Sequence, residues 1–285
     1  MPNKVVTILK RLAIAYGSIC LLLWFGQERL IFWPSSAIAK TPTAYGLEHK
    51  NLWLPVSTAK EKAERIHGWW IPAKTLEAPT ILYLHHNAIN IGANIGQAED
   101  FHKLGYSVLL VDYRGYGLSE GNFPNEGQVY EDAQAAWNYL VETKKITPKQ
   151  IVIYGHSLGA AIAIDLAAKR PEAGGLIVQN AFTSLRDMTK RFGIFWLVPV
   201  DLLLRQRFDS LKKISSLQMP VLFIHGTRDP QIPARMSETL FATAPEPKQL
   251  LLIPDLGHDN NMKKRDLEKI GTFIEKNRAE IGKGV

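Results

Sequence analysis

Between residues 80 and 253 short apolar runs alternate with longer segments of helical character. The runs 80–84, 107–111, 151–154, 176–179, 221–225 and 249–253 carry almost no polar side chain. A strand without a polar side is covered on both faces. Where such strands alternate with helices, they lie parallel. The helical segments fall at 92–104, 127–145, 159–170 and 262–278, with Gly105 and Pro171 stopping two of them. Two earlier strand candidates, 47–55 and 65–71, are bounded by Pro or Gly. The expectation is an α/β fold built on a mostly parallel, eight-stranded sheet with helices on both faces. Residues 182–217 break the rhythm, because a crossover between parallel strands needs only about a dozen residues. The surplus reads as a small cap insertion over the carboxyl edge of the sheet, where α/β sites lie. Residues 41–285 are long enough to form this one domain.

Residues 1–40 read differently. Residues 12–27 hold no charge, a stretch slightly short of the ~20 that a spanning helix needs. Lys10 and Arg11 can snorkel, and Trp24, Phe25, Phe32 and Trp33 suit a membrane interface. An uncleaved anchor, a cleaved signal with a site near Ala37-Ile38-Ala39, and an amphipathic helix are the three readings. Lys4, Lys10 and Arg11 favour a cytoplasmic N-terminus, with the catalytic part on the other side or released after cleavage. The net charge of +7 sits at the two ends: +4 over residues 1–40, +3 over 261–285 and zero between them. A neutral body argues against a nucleic-acid partner and for a tether near anionic lipid. The one cysteine, Cys20, lies in the apolar stretch, so no disulfide framework exists.

Gly155-His156-Ser157-Leu158-Gly159 joins the run 151–154 to an Ala-rich helical segment. In that strand–turn–helix setting a G-x-S-x-G is a nucleophile elbow, a tight turn that needs small residues on both sides of a strained Ser. A helix-capping Ser in a Gly-rich turn is the bland alternative. At the head of its helix Ser157 would meet free N–H groups that favour negative charge. Such a Ser needs a base, and the base an orienting acid. Asp229 follows the run 221–225 and His258 follows 249–253, both in loops at the carboxyl edge and in the order Ser, acid, base. Asp255 and Asp259 are rival acids, but each lies too close to His258 in sequence to orient its far ring nitrogen. His225 reads as a structural strand-end residue and His156 as part of the elbow. The oxyanion hole is expected from the backbone N–H groups of Leu158 and Asn87. No metal and no organic cofactor is called for.

Taken with four further segments, these residues resemble the α/β-hydrolase superfamily. Gln27 to Pro34, Leu82 to Ala88 and Asp112 to Ser119 are similar to segments of its membrane-anchored, bud-emergence-type serine hydrolases. Phe182 to Met188 is similar to the segment before the cap. The resemblance implies the triad Ser157, Asp229 and His258, and hydrolysis of carboxylic esters, lipid esters or thioesters. Exopeptidase activity and a non-catalytic tethered binding module are the alternatives. This chain has His85-His86-Asn87 where the family has His-Gly-Asn. Gly adopts positive φ freely and His does not, so His86 is either accommodated structurally or lines the site mouth. From Arg186 to Lys213 seven basic and three acidic residues are mixed with aromatics and leucines. That pattern reads as an amphipathic cap helix, or as an apolar acyl entrance with a basic rim at a lipid surface. His86, Phe182 and Trp196 are the expected contacts of a small-molecule or lipid acyl substrate. Oligomeric state is open.

Overall fold

A computed structural model describes residues 2–56, 64–75, 77–191, 193–259 and 262–282. The chain runs α1 (Pro2–Ile31), β1 (Trp33–Pro34), β2 (Lys50–Val56), β3 (Glu64–Ile71), β4 (Thr80–Leu84), β5 (Ala88–Ile89), α2 (Ile95–Lys103) and β6 (Ser107–Val111). It continues through α3 (Glu126–Asn138), β7 (Ile151–His156), α4 (Leu158–Lys169), β8 (Gly175–Gln179), α5 (Leu185–Thr189), α6 (Val200–Leu203) and α7 (Ser210–Ile214). The last elements are β9 (Val221–Gly226), α8 (Ala234–Thr243), β10 (Lys248–Ile253) and α9 (Lys264–Gly282). Eight strands form one sheet in the order β10-β9-β8-β7-β4-β6-β3-β2. Among the described residues only the β2–β3 and β3–β6 pairings are antiparallel. The fold is therefore the expected α/β hydrolase.

Central strand β4 shows why its sequence has no polar side. Leu82 and Leu84 pack on one face with Ala133, Trp137 and Ile162 of α3 and α4. Ile81 and Tyr83 pack on the other with Ile95, Phe101 and Phe273 of α2 and α9. Side chains alternate with a period of two, so burial on both faces selects an unbroken apolar run.

Four local features differ from the sequence expectation. The helix expected over 127–145 is α-helical to Asn138 and then widens into a π-helical turn, Tyr139–Thr143. Helix α8 lacked a sequence signal because its buried stripe, Met236, Ser237 and Leu240, is short and includes a serine. Among the described residues the cap holds no long amphipathic helix. It is a chain of short turns, α5, a 3₁₀ segment at Gly193–Leu197, α6 and α7. Pro199, which has no N–H to continue a ladder, caps α6. Finally, β1 pairs with β5 in parallel, Trp33 opposite Ala88 and Pro34 opposite Ile89.

Helix α1 contains a stretch, Lys4–Ile31, long and apolar enough to cross a membrane. That is compatible with an anchor or a signal sequence. Its last turn is joined to the body. Buried Gln27 accepts from the Arg205 and Gln206 N–H groups at 2.8 and 3.0 Å and donates to the Leu203 carbonyl at 3.2 Å. Glu28 accepts from the Arg205 and Gln206 side chains.

Candidate active site

Ser157 stands between β7 and α4 with φ 57° and ψ −117°, a conformation that non-glycine residues avoid. The turn closes because its flanks are glycine. A Cβ on Gly155 would lie 2.2 Å from the Gly159 carbonyl oxygen, and one on Gly159 would lie 2.1 Å from that of Leu84. The Ser157 N–H is held by the Gln179 carbonyl at 2.9 Å. Leu158 opens α4, so its N–H has no partner within the helix.

The His258 ring meets Ser157 Oγ through Nε2 at 3.0 Å and Asp229 Oδ2 through Nδ1 at 2.7 Å. Asp229 Oδ1 accepts the N–H groups of Gln231 and Ile232 at 2.7 and 2.9 Å. Burial pushes the Asp229 carboxyl up. The bond from His258 and the Ile232 and Gln231 N–H groups outweigh burial and hold it below its ordinary value. An ionised Asp229 fixes the proton on Nδ1 and leaves the Nε2 lone pair facing the hydroxyl. The rival acids are engaged elsewhere: Asp255 faces Arg228 at 2.9 Å, and Asp259 accepts from Gln231. His225 is bonded to Ser237 Oγ and the Ile232 carbonyl, and its Nε2 lies 3.6 Å from Asp229 Oδ2.

Two residues beneath His258 carry more than the sequence indicated. His156 Nε2 and Asn180 Nδ2 both donate to the His258 carbonyl, at 3.0 and 2.9 Å. Asn180, at φ 50°, also accepts the Gly226 N–H. An Asn closing an apolar strand was the available sign, since Asn tolerates positive φ better than most residues.

The oxyanion loop departs from expectation at His86. Its φ is not positive, and the left-handed residue of the loop is Ile89 at φ 64°. His86 is accommodated without the strain that glycine would relieve. Asn87 is clamped by its neighbours: its carbonyl accepts from Trp33 N–H and Tyr116 Oη, and its Nδ2 donates to the Ile31 carbonyl.

Two cavities meet at this site, sharing Trp33, Asn87 and Gln231 in their walls. The apolar one, about 330 Å³, contains Ser157, Leu158 and Phe182 and is walled by Leu23, Gln27, Leu30 and Ile31 of α1. Phe195, Val198 and Leu203 of the cap complete it. The other, about 510 Å³, is polar and contains His86, His156, His258, Gln97, Gln179 and Asp259. Trp196 lines neither. It is 84% exposed on the outer cap, where the tight 3₁₀ turn sends it away from the side on which Phe195 meets Ser157's cavity. Ligand atoms of His156, His258 and Asp259 lie within 4.8 Å of one another. A cation there would compete with the bonds that hold His258 to Ser157 and Asp229.

The hydrolase family described as serine aminopeptidase, S33, matches residues 79–206. The uncharacterized protein Rv2307c of Mycobacterium tuberculosis is 34% identical over 90% of this chain and 89% of its own length. Protein bem46 of Schizosaccharomyces pombe is 34% identical over 70% of this chain and 67% of its own. An esterase of Pyrococcus furiosus shares the fold, with a TM-score of 0.70 at 20% identity over 86% of this chain and 98% of that one. With its mostly parallel sheet, its elbow and relatives of this extent, the chain belongs to the α/β-hydrolase family, in the bud-emergence-type group.

Proposed function

We propose that this hydrolase is a membrane-anchored serine esterase or thioesterase acting on lipid-like acyl substrates. The observation that carries the reading is the apolar cavity, which is lined by Ser157 and by the last turns of α1. An acyl chain in that cavity presents its carbonyl carbon to Ser157 Oγ. Oγ forms the bond to carbon while His258 Nε2 takes its proton. The oxyanion is held by the N–H groups of Leu158 and Asn87. On collapse the bond from carbon to the leaving oxygen or sulfur breaks, and His258 hands its proton to that atom. Water then attacks the acyl-enzyme with His258 as base, the carbon–Oγ bond breaks, and Ser157 recovers its proton. Asp229 holds the tautomer throughout.

Phe182 contacts the acyl chain and His86 the other side of the ester. Trp196, with Leu197 and Leu202 at 64% and 75% exposure, lies on the outer cap, where an apolar surface suits a bilayer better than bulk water. With α1 as anchor, Lys4, Lys10 and Arg11 assign the catalytic part to the non-cytoplasmic side. The matched family's description favours amide cleavage as a second reading. A fluorophosphonate probe applied to the parent and to Ser157→Ala tests the nucleophile. Labelling of the parent alone is expected, and an unlabelled parent would sink the enzymatic reading. Faster cleavage of aminoacyl anilides than of p-nitrophenyl acyl esters would move the assignment to a peptidase.

A further inference from the structure

The polar cavity beside His258 has no part in holding an acyl chain, and the esterase reading leaves its occupant unnamed. His258 must protonate the departing oxygen, and it lines the polar cavity together with His86 and His156. The apolar cavity holds Ser157 and Leu158. The scissile bond therefore divides the substrate between the two, acyl chain to one side and leaving group to the other.

The hydrogen bonds assign a tautomer to each of the two remaining histidines. His86 Nδ1 accepts the Ala88 N–H at 3.2 Å, so its proton is on Nε2 and the ring offers a donor. His156 Nε2 donates to the His258 carbonyl at 3.0 Å, so its Nδ1 keeps a lone pair and the ring offers an acceptor. Burial, with neighbouring histidines adding to it, keeps both rings neutral and pushes His86 down to about 3. The rings meet edge to face with centroids 5.6 Å apart. One donor and one acceptor on neighbouring rings of one cavity wall match a hydroxyl, which accepts and donates at once. A carboxylate would face the His156 lone pair, and an ammonium would face the His86 N–H. Both charges are mismatched there. Behind the pair, Gln179 is locked through Oε1 by Tyr154 Oη at 2.6 Å and Gln97 Nε2 at 2.9 Å, so this part of the wall is neutral and preset, while the charged residues of the cavity, Lys40 and Asp259, are bonded to Tyr45 and Gln231.

We infer that this cavity is the leaving-group subsite and that His86 and His156 select an alcohol bearing a free hydroxyl next to the ester oxygen, as in a glycol or other polyol ester. The inference rests on the esterase reading and adds the chemical class of the leaving group. It also gives this chain's His86 a task that the usual glycine cannot perform.

The test uses the full chain in detergent micelles and two isosteric substrates, the propyl and the 2-hydroxyethyl esters of octanoic acid, which differ in one hydroxyl. A neutral hydrogen bond or two predicts kcat/KM about tenfold higher for the hydroxyethyl ester in the parent. In His86→Phe the ratio of the two rates collapses toward one, and in His86→Gln, which keeps an N–H donor, most of the ratio returns. A parent ratio near one, or an unchanged ratio in His86→Phe, overturns the inference and leaves the esterase reading standing. Cleavage of neither ester by a parent that still takes the fluorophosphonate label also overturns it. A parent that takes no label removes the esterase reading and this inference together.

Discussion

Gln27→Leu isolates the claim that α1 is a wall of the acyl cavity as well as a tether. Gln27 is 5% exposed and makes three bonds across to residues 203–206 of the cap. Leucine fills a similar volume but leaves two N–H groups and a carbonyl without their partner. At about 0.5–1.5 kcal/mol for each net hydrogen bond, the docking of the cap on α1 weakens by about 2–4 kcal/mol. Glu28 remains bonded to Arg205 and Gln206, but it is part-exposed, and a surface pair holds less than about 1 kcal/mol. The wall formed by Leu23, Leu30 and Ile31 then loses its fixed distance from Phe195 and Leu203. An acyl chain that loses contact for two methylenes forfeits about 1.6 kcal/mol at ~0.8 per CH₂, a factor of roughly fifteen. The assay is kcat/KM on p-nitrophenyl laurate and butyrate, with the laurate-to-butyrate ratio as readout. Leu21→Ala, on an exposed part of α1 away from the cavity, is the control and leaves the ratio unchanged. If Gln27→Leu keeps the parental ratio, α1 does not shape the acyl site.

Three further outcomes follow from the geometry. Asp229→Asn can keep its carbonyl on the Gln231 and Ile232 N–H groups but turns a donor toward His258, which forces the proton to Nε2; kcat should fall by about 10⁴, as for wrong-tautomer triads, with the fold retained in circular dichroism. Gly159→Ala brings a Cβ to 2.1 Å from the Leu84 carbonyl oxygen at the centre of the sheet, and should cost about 3 kcal/mol or more, read as a lowered denaturation midpoint; an unshifted midpoint would mean that the elbow is less tight than described. His86 and His156 are neutral when folded, with pKa values depressed below the ordinary 6.5, so the unfolded chain binds more protons below that pH. Their contribution is complete above pH 6.5 and is lost as pH falls toward their folded values, with a slope of about 2.7 kcal/mol per pH unit for two protons. Urea midpoints that stay flat from pH 6.5 to 4.5 would refute the assignment of both rings as neutral.

What the sequence exposes and what it hides divide along the range of the contacts. Ser157, Asp229 and His258 were legible because each follows an apolar run, and a parallel sheet brings the ends of such runs to one edge whatever lies between them. Burial on both faces marked the strands for the same reason: it acts on every residue of a run. A single polar residue leaves no such pattern. Gln27 is one amide in an apolar stretch, and its partners lie more than 175 residues away, so nothing local distinguishes it from the end of a tether. Asn180 and Ile89 are set by backbone positions that many sequences could occupy, and Ile89 contradicts its own propensity, since a β-branched residue at positive φ is rare. The same applies to Trp196, whose neighbour Phe195 has equal claim to the cavity by composition; only the hand of a five-residue 3₁₀ turn decides which ring faces Ser157. His86 is the instructive case. Its sequence posed a question about backbone strain. The fold answers that question by moving the strained residue to Ile89, and it leaves His86 in the wall of the polar cavity with Nδ1 held by the Ala88 N–H.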